Sequence, residues 1–224
     1  MAAVDEASPA PAPGMHRIYL IRHGETALNA NRILQLPATP LSERGLEQAR
    51  RLGERLRSAK LGRILTSDLT RAVMTAEAVR AATGAPLELD DELRERNFGD
   101  LRGRSYASLG FDPFADGYEP PAGETWEVFH TRVARAWRKV LAVAARTEGP
   151  IAVVTHGLIC RGAVMFHAPP APGLAPPTHW RNSSVSVLEG APWRATLIDC
   201  VEHLEGGARD GRVRDGGARE GGQA

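Results

Sequence analysis

Lysine and cysteine are the scarce residues of this 224-residue chain, and each scarcity excludes something. Cys160 and Cys200 are too few for a disulfide framework, so a reducing cytoplasm is the expected home. Lys60 and Lys139 are the only lysines among 28 basic residues, so nearly all positive charge is guanidinium, which pairs bidentately with oxyanions. A formal net charge of +1 provides no global field to steer nucleic acid or a membrane surface. No uninterrupted apolar run is long enough to span a bilayer. The opening "MAAVDEASPAPAPGM" holds acids and prolines where a secretory signal needs an apolar core. There is also no Gly-x-x-x-x-Gly-Lys phosphate loop.

What remains reads as a globular domain, with 42% hydrophobic and 25% charged residues. Residues 1–15 and 205–224 are expected to be disordered tails around one domain at 16–204. In the C-terminal tail the acids nearly cancel the arginines, which argues against an RNA-contacting role. "RIYLI", "GRILTS" and "IAVVT" read as strands, the first and third buried on both faces. A helix is expected from Leu41, capped by Ser42, with a stripe of Leu46, Ala49, Leu52 and Leu56. A second, capped by Ser67 or Asp68, runs through "TRAVMTAEAVRAAT" to Gly84. A third spans Glu124 to Arg146, with Trp126, Phe129, Val133, Trp137, Val140 and Ala144 on one face as core. "SSVSVLEGAPWRATLID" reads as two strands around a Gly/Pro turn. Alternating strand and helix implies a three-layer α/β/α sandwich around a mostly parallel sheet.

In such sheets ligands bind beyond the carboxyl ends of the strands. Arg22-His23-Gly24 follows the first strand, and Thr155-His156-Gly157 follows another. Glycine after each histidine permits a sharp turn and close approach of a ligand. Ser67-Asp68 ends a third strand, with Arg71 in the first turn of the next helix, where free N–H groups favour an anion. Two arginines and two histidines thus converge on what would be one anion pocket. His23, His156 and Glu95 could also be read as metal ligands, but the charges of Arg22 and Arg71 would repel a divalent cation. Chemistry alone does not choose a proton donor among Asp90, Asp91, Glu92, Glu95 and Asp100. His16, His130, His167, His179 and His203 have no partner at meaningful spacing, and Cys160 is expected in the core.

"LIRHGETALN" resembles the signature of the histidine phosphatase superfamily, the phosphoglycerate mutase-like proteins. The likeness continues in the family's order through "PLSERGLEQA", "TSDLTRAVMTAE", "LRERNFGDLRG", "GETWEVFHTRV", "VVTHG" and "NSSVSVLE", covering roughly Arg17 to Val187. The resemblance implies a phosphoglycerate mutase-like fold and chemistry with no metal or other cofactor. It makes His23 the phosphorylated nucleophile and Glu95 the proton donor. Arg22, Arg71 and His156 would hold the phosphoryl oxygens. Asn29, Gly157 and the backbone around Gly24 and Thr26 would complete the cradle.

The partner so implied is a small-molecule phosphoester. Hydrolysis is favoured over mutase transfer, because only Leu101 to Gly123 could shield a phosphohistidine from water. A non-catalytic phosphate-binding module would lack the nucleophile or the acid, and both are present. Leu28 and Leu101 stand where many relatives carry aromatics, and are expected on the leaving-group side. The proline-rich segment after His167 is expected to bridge two elements.

Overall fold

A strand that is apolar on both faces needs a layer on each side, and the sheet of this protein has both. The computed structural model describes residues 16–205. The two terminal segments expected to be disordered lie outside the described residues, except that Glu205 closes a short final helix. In chain order come β1 (His16–Arg22), α1 (Ala27–Ala30), α2 (Glu43–Leu56), β2 (Arg63–Thr66), α3 (Thr70–Thr83) and β3 (Leu87–Leu89). Then follow α4 (Trp126–Arg146), β4 (Ile151–Thr155), α5 (Gly157–Phe166), β5 (Val185–Gly190), β6 (Arg194–Cys200) and α6 (Glu202–Glu205).

The sheet order is β3-β2-β4-β1-β5-β6. β3, β2, β4 and β1 run parallel, and the hairpin β5-β6 adds two antiparallel strands at one edge. Alternating strand residues feed two cores. Ile18, Leu20, Leu65, Ile151 and Val153 pack with Phe129, Val133 and Val140 of α4 and Ile159 of α5. Ile21, Ile64, Ala152 and Val154 pack with Leu52 and Leu56 of α2 and Ala72, Ala76 and Val79 of α3. This is the three-layer α/β/α arrangement, with β4 buried at every residue.

Local details depart from the expected pattern. Ser42 does cap α2, its side chain accepting from Gly45 N. Leu46, however, is 48% exposed. At about 100° per residue it points away from the face that Gly45, Ala49, Leu52 and Leu56 share. The N-cap of α3 is Leu69, without a side-chain cap bond, because Ser67 turns inward and Asp68 pairs with Arg94. Gly84 ends that helix at φ +72°, a left-handed position that suits glycine. Helix α4 starts two residues later than expected, capped by Thr125, because Glu124 is paired with Arg132. Trp126 is only half-buried; the rest of its expected face is core. β3, a three-residue edge strand, is too short and too exposed to leave an apolar pattern.

Strand order decides where the chemistry falls. β4 lies between β1 and β2, with Arg22 level with Thr155 and Thr66 level with Val154. The residues just past these ends, His23, His156 and Ser67, are therefore neighbours although far apart in the chain.

Candidate active site

His23 leaves β1 with 1% exposure. Its amide donates to Thr155 O at 2.9 Å, and its carbonyl accepts from Ser183 N at 3.1 Å and Asn182 Nδ2 at 3.1 Å. Nδ1 lies 2.7 Å from Gly24 O. A carbonyl only accepts, so Nδ1 carries the hydrogen and Nε2 a free lone pair. Burial, reinforced by the charges of Arg71 and Arg22, holds this imidazole well below its ordinary pKa, so it is neutral at neutral pH.

His156, the residue after β4 and the N-cap of α5, is fully buried. The two imidazole centroids are 5.1 Å apart. His156 Nε2 lies 2.9 Å from Ser67 Oγ, whereas its Nδ1 is buried without a partner. Burial, then Arg71, holds its pKa well below the ordinary value too.

Two arginines flank this pair. Arg22 donates through Nη1 to Trp180 O, and Arg71, 2% exposed, donates through Nη1 to Leu36 O at 3.2 Å. In both, Nε is buried and unpaired. Burial lowers the Arg71 pKa to about 10, and Arg22 is lowered by the same cause. An unsatisfied buried donor costs about 1–3 kcal/mol, so Arg22 Nε, Arg71 Nε and His156 Nδ1 together constitute a strong demand for acceptor atoms.

Glu95 is the one carboxylate on the wall of the cavity that Arg22, His23 and Arg71 line, a space of about 180 Å³. Its Oε1 accepts from Arg96 N at 3.1 Å and its Oε2 from Leu158 N at 3.3 Å, in the first turn of α5. Burial raises its pKa, opposed by those two amides and by Arg71 and Arg22. Nearby acids are engaged elsewhere: Asp90 with Lys139, Glu92 with Arg135 and Glu25 with Arg44.

Not every expected residue reaches the cavity. Asn29 and Gly157 line it. Gly24 and Thr26 do not, because their amides are used internally, Gly24 N on Thr75 Oγ1 at 3.0 Å and Thr26 N on Asn29 Oδ1 at 2.7 Å. They brace the loop rather than offer free donors. His156 is not among the lining residues, although its ring lies 5.1 Å from that of His23. Leu28 and Leu101 are not on it either, since Leu101 is 4% exposed in a cluster with Leu34, Phe98 and Leu109 beneath the covering segment. The cover contributes Arg102, Tyr106 and Phe114 instead. The proline-rich segment bridges, bonding β6 at Pro169 and Ala171, and the Thr178, His179 and Trp180 that follow it border the cavity. His179 gave no sign of this in sequence. Among the described residues no three His, Cys, Asp or Glu side chains gather as a metal-ligand group, and no helix is long and apolar enough to cross a membrane.

Residues 18–202 match the model of the histidine phosphatase superfamily, branch 1. A probable phosphoglycerate mutase of Erwinia tasmaniensis is 32% identical over 214 residues, spanning 88% of this chain and 98% of that one. Among solved structures, YhfR of Bacillus stearothermophilus superposes with a TM-score of 0.71 at 30% identity, over 84% of this chain and 99% of that one. A mycobacterial glucosyl-3-phosphoglycerate phosphatase in complex with VO3 has a TM-score of 0.70 at 27% identity, over 83% of this chain and 99% of that one.

Proposed function

The chain belongs to the histidine phosphatase superfamily, and we propose that it hydrolyses phosphomonoesters through a phosphohistidine on His23. The observation that carries this reading is one cavity lined by Arg22, His23 and Arg71, with the His156 imidazole 5.1 Å from that of His23 and with Arg22 Nε, Arg71 Nε and His156 Nδ1 buried without partners.

In the first step His23 Nε2 attacks phosphorus in line and the ester P–O bond breaks. Glu95, whose pKa burial raises, gives its proton to the departing oxygen. Water then attacks the phosphohistidine while Glu95 takes back a proton, the P–N bond breaks, and phosphate leaves. Phosphoryl transfer needs mainly positioning and charge stabilisation, which the two guanidinium groups supply to the equatorial oxygens. At an effective dielectric of about 20, a unit charge about 4 Å away contributes about 4 kcal/mol. Arg22 and Arg71 can therefore lower the barrier substantially. No step calls on a metal or cofactor.

Arg102 indicates the kind of substrate. It lines the cavity half-buried with no ion pair among the described residues, and burial lowers its pKa. A small phosphoester whose leaving group carries its own negative charge would satisfy it. The likeness to a probable phosphoglycerate mutase keeps transfer to a phosphoglycerate acceptor as the second reading. The two free, buried cysteines suit a cytoplasmic setting.

The test is incubation with a panel of phosphoesters in chelator, with and without a phosphoglycerate acceptor. Acid-labile phosphate on His23, release of inorganic phosphate without acceptor and loss of both in His23→Ala are expected. Phosphate that appears only on the acceptor would establish the mutase reading, and binding without labelling would establish a non-catalytic module.

A further inference from the structure

The turn at residues 180–184 holds both ends of the Arg22-His23 pair. Trp180 O accepts from Arg22 Nη1, and Ser184 O accepts from Arg22 N at 3.3 Å. Ser183 N and Asn182 Nδ2 both donate to His23 O at 3.1 Å, and Asn182 Oδ1 accepts from Asn29 Nδ2 at 3.0 Å. The turn is in turn fastened to Asp199, on the neighbouring hairpin strand β6. Asp199 Oδ1 accepts from Arg181 N at 2.7 Å and Oδ2 from Arg181 Nε at 2.8 Å, while Arg181 Nη2 reaches the Asp199 carbonyl.

Two further features mark this attachment. Asp199 is 5% exposed, and a buried carboxylate is tolerated only when its oxygens are bonded. Asp199 and Ser183 also sit at φ 53° and 54°, in the left-handed region that non-glycine residues seldom occupy. Such conformations persist where the surroundings over-determine them, and they gather at functional sites. Ser186 Oγ locks the arrangement from within, accepting from Asp199 N at 3.0 Å and from Trp180 Nε1 at 3.4 Å. The Asp199 carboxylate also favours the charged form of Arg22.

We propose that Asp199 and Arg181 form a positioning clamp that sets Arg22, through the 180–184 turn, for binding the phosphoryl group. The inference rests on the phosphoryl-binding reading above. Neither residue lines the cavity. The clamp fixes the Trp180 carbonyl that orients the Arg22 guanidinium, leaving Arg22 Nε free to donate.

A double-mutant cycle on the full chain separates this role from plain structural support. The reading is the Kd for inorganic phosphate, by calorimetry, which needs no turnover. Arg181→Gln changes a side chain that is 56% exposed, so it carries the cycle even where Asp199→Asn fails to fold. Arg181→Gln is expected to weaken phosphate binding about tenfold, or about 1.4 kcal/mol. In an Arg22→Ala background the same change is expected to cost less than about threefold, because the group it positions is gone. An equal loss in both backgrounds, or unchanged affinity in the single variant, overturns the clamp. A wild-type chain that binds no phosphate overturns the phosphoryl-binding reading along with it.

Discussion

Ser67 Oγ lies 2.9 Å from Nε2 of His156 and also accepts from Leu69 N at 3.3 Å. Among the described residues Nε2 is the one acceptor that the Ser67 hydroxyl reaches, so the hydroxyl donates to it while its oxygen accepts from Leu69 N. That assigns the hydrogen of His156 to Nδ1, the buried nitrogen without a partner. The proposed phosphoryl ligand is thereby an N–H donor while remaining uncharged. Ser67→Ala removes the orientation but no charge. About a tenfold loss in kcat/KM is expected, with a similar weakening of competitive inhibition by phosphate. Steady-state kinetics with both readouts would show it, and unchanged constants would mean that His156 is held by packing alone.

Much of this arrangement could be read from the chain, and the remainder shows what sequence omits. The apolar runs ending in Arg22-His23 and Thr155-His156 located two strand ends, because β1 and β4 are covered on both faces. Arg71 was legible as a first-turn arginine after a strand. The supporting atoms were not. Trp180 O and Leu36 O are backbone carbonyls, which no residue type announces, and Ser67 looked like a helix cap until the strand order placed it against His156. Arg102, Tyr106 and Phe114 come from an irregular cover with no periodicity to read. The resemblance puts the backbone around Gly24 and Thr26 in the phosphate cradle, but the amides of these two residues are bonded within the protein, to Thr75 and Asn29.

Gly45 shows how closely α2 approaches the loop that follows His23, the proposed nucleophile. A Cβ there would lie 2.0 Å from Glu25 O, and one at Gly24 would lie 2.7 Å from Gly45 O. The contacts are backbone, so no side chain can move aside. Gly45→Ala is expected to cost about 1–3 kcal/mol, as other overpacked sites do. It should also lower kcat, because His23 Nδ1 is bonded to the Gly24 carbonyl that must shift. Urea melts and kcat on the same preparation test this; a variant with unchanged midpoint and rate would refute the close approach.

Acid should destabilise the fold through the two imidazoles. His23 and His156 hold their pKa well below the ordinary 6.5, so the folded state binds fewer protons than the unfolded state over that interval. Stability is then fully present above pH 6.5 and is lost as pH falls from there through the folded values. Glu95 works the other way. Its folded pKa is raised above 4.5, so it contributes stability below 4.5 that is lost as pH rises through its folded value. His130, His167 and His203 are lowered by burial too and act in the same direction, so five histidines against one carboxyl should leave a net fall in the urea midpoint between pH 7.5 and 5.5. The double variant His23→Asn/His156→Asn should lessen that fall, and an equal slope in wild type and variant would assign it to other groups.

Glu95→Gln separates acid catalysis from charge and shape. The amide retains the size of the side chain and its one oxygen can still accept from either Leu158 N or Arg96 N, but its NH2 cannot serve the other and it has no acidic proton to give. An alkyl phosphate departs as a strongly basic alkoxide and needs that proton, whereas a nitrophenolate leaves without it. Positioned general acids contribute about 10²–10⁴-fold. The alkyl ester should therefore lose activity on that order, while the nitrophenyl ester loses far less in its first step. A burst of nitrophenol followed by slow turnover is the expected signature. Glu95 is also the group that would deprotonate water, so the phosphohistidine should outlive its formation. Rapid-quench measurement of labelled His23 would follow it. Equal losses for the two esters without a burst would remove Glu95 from both proton transfers, leaving it only its bonds to Arg96 and Leu158.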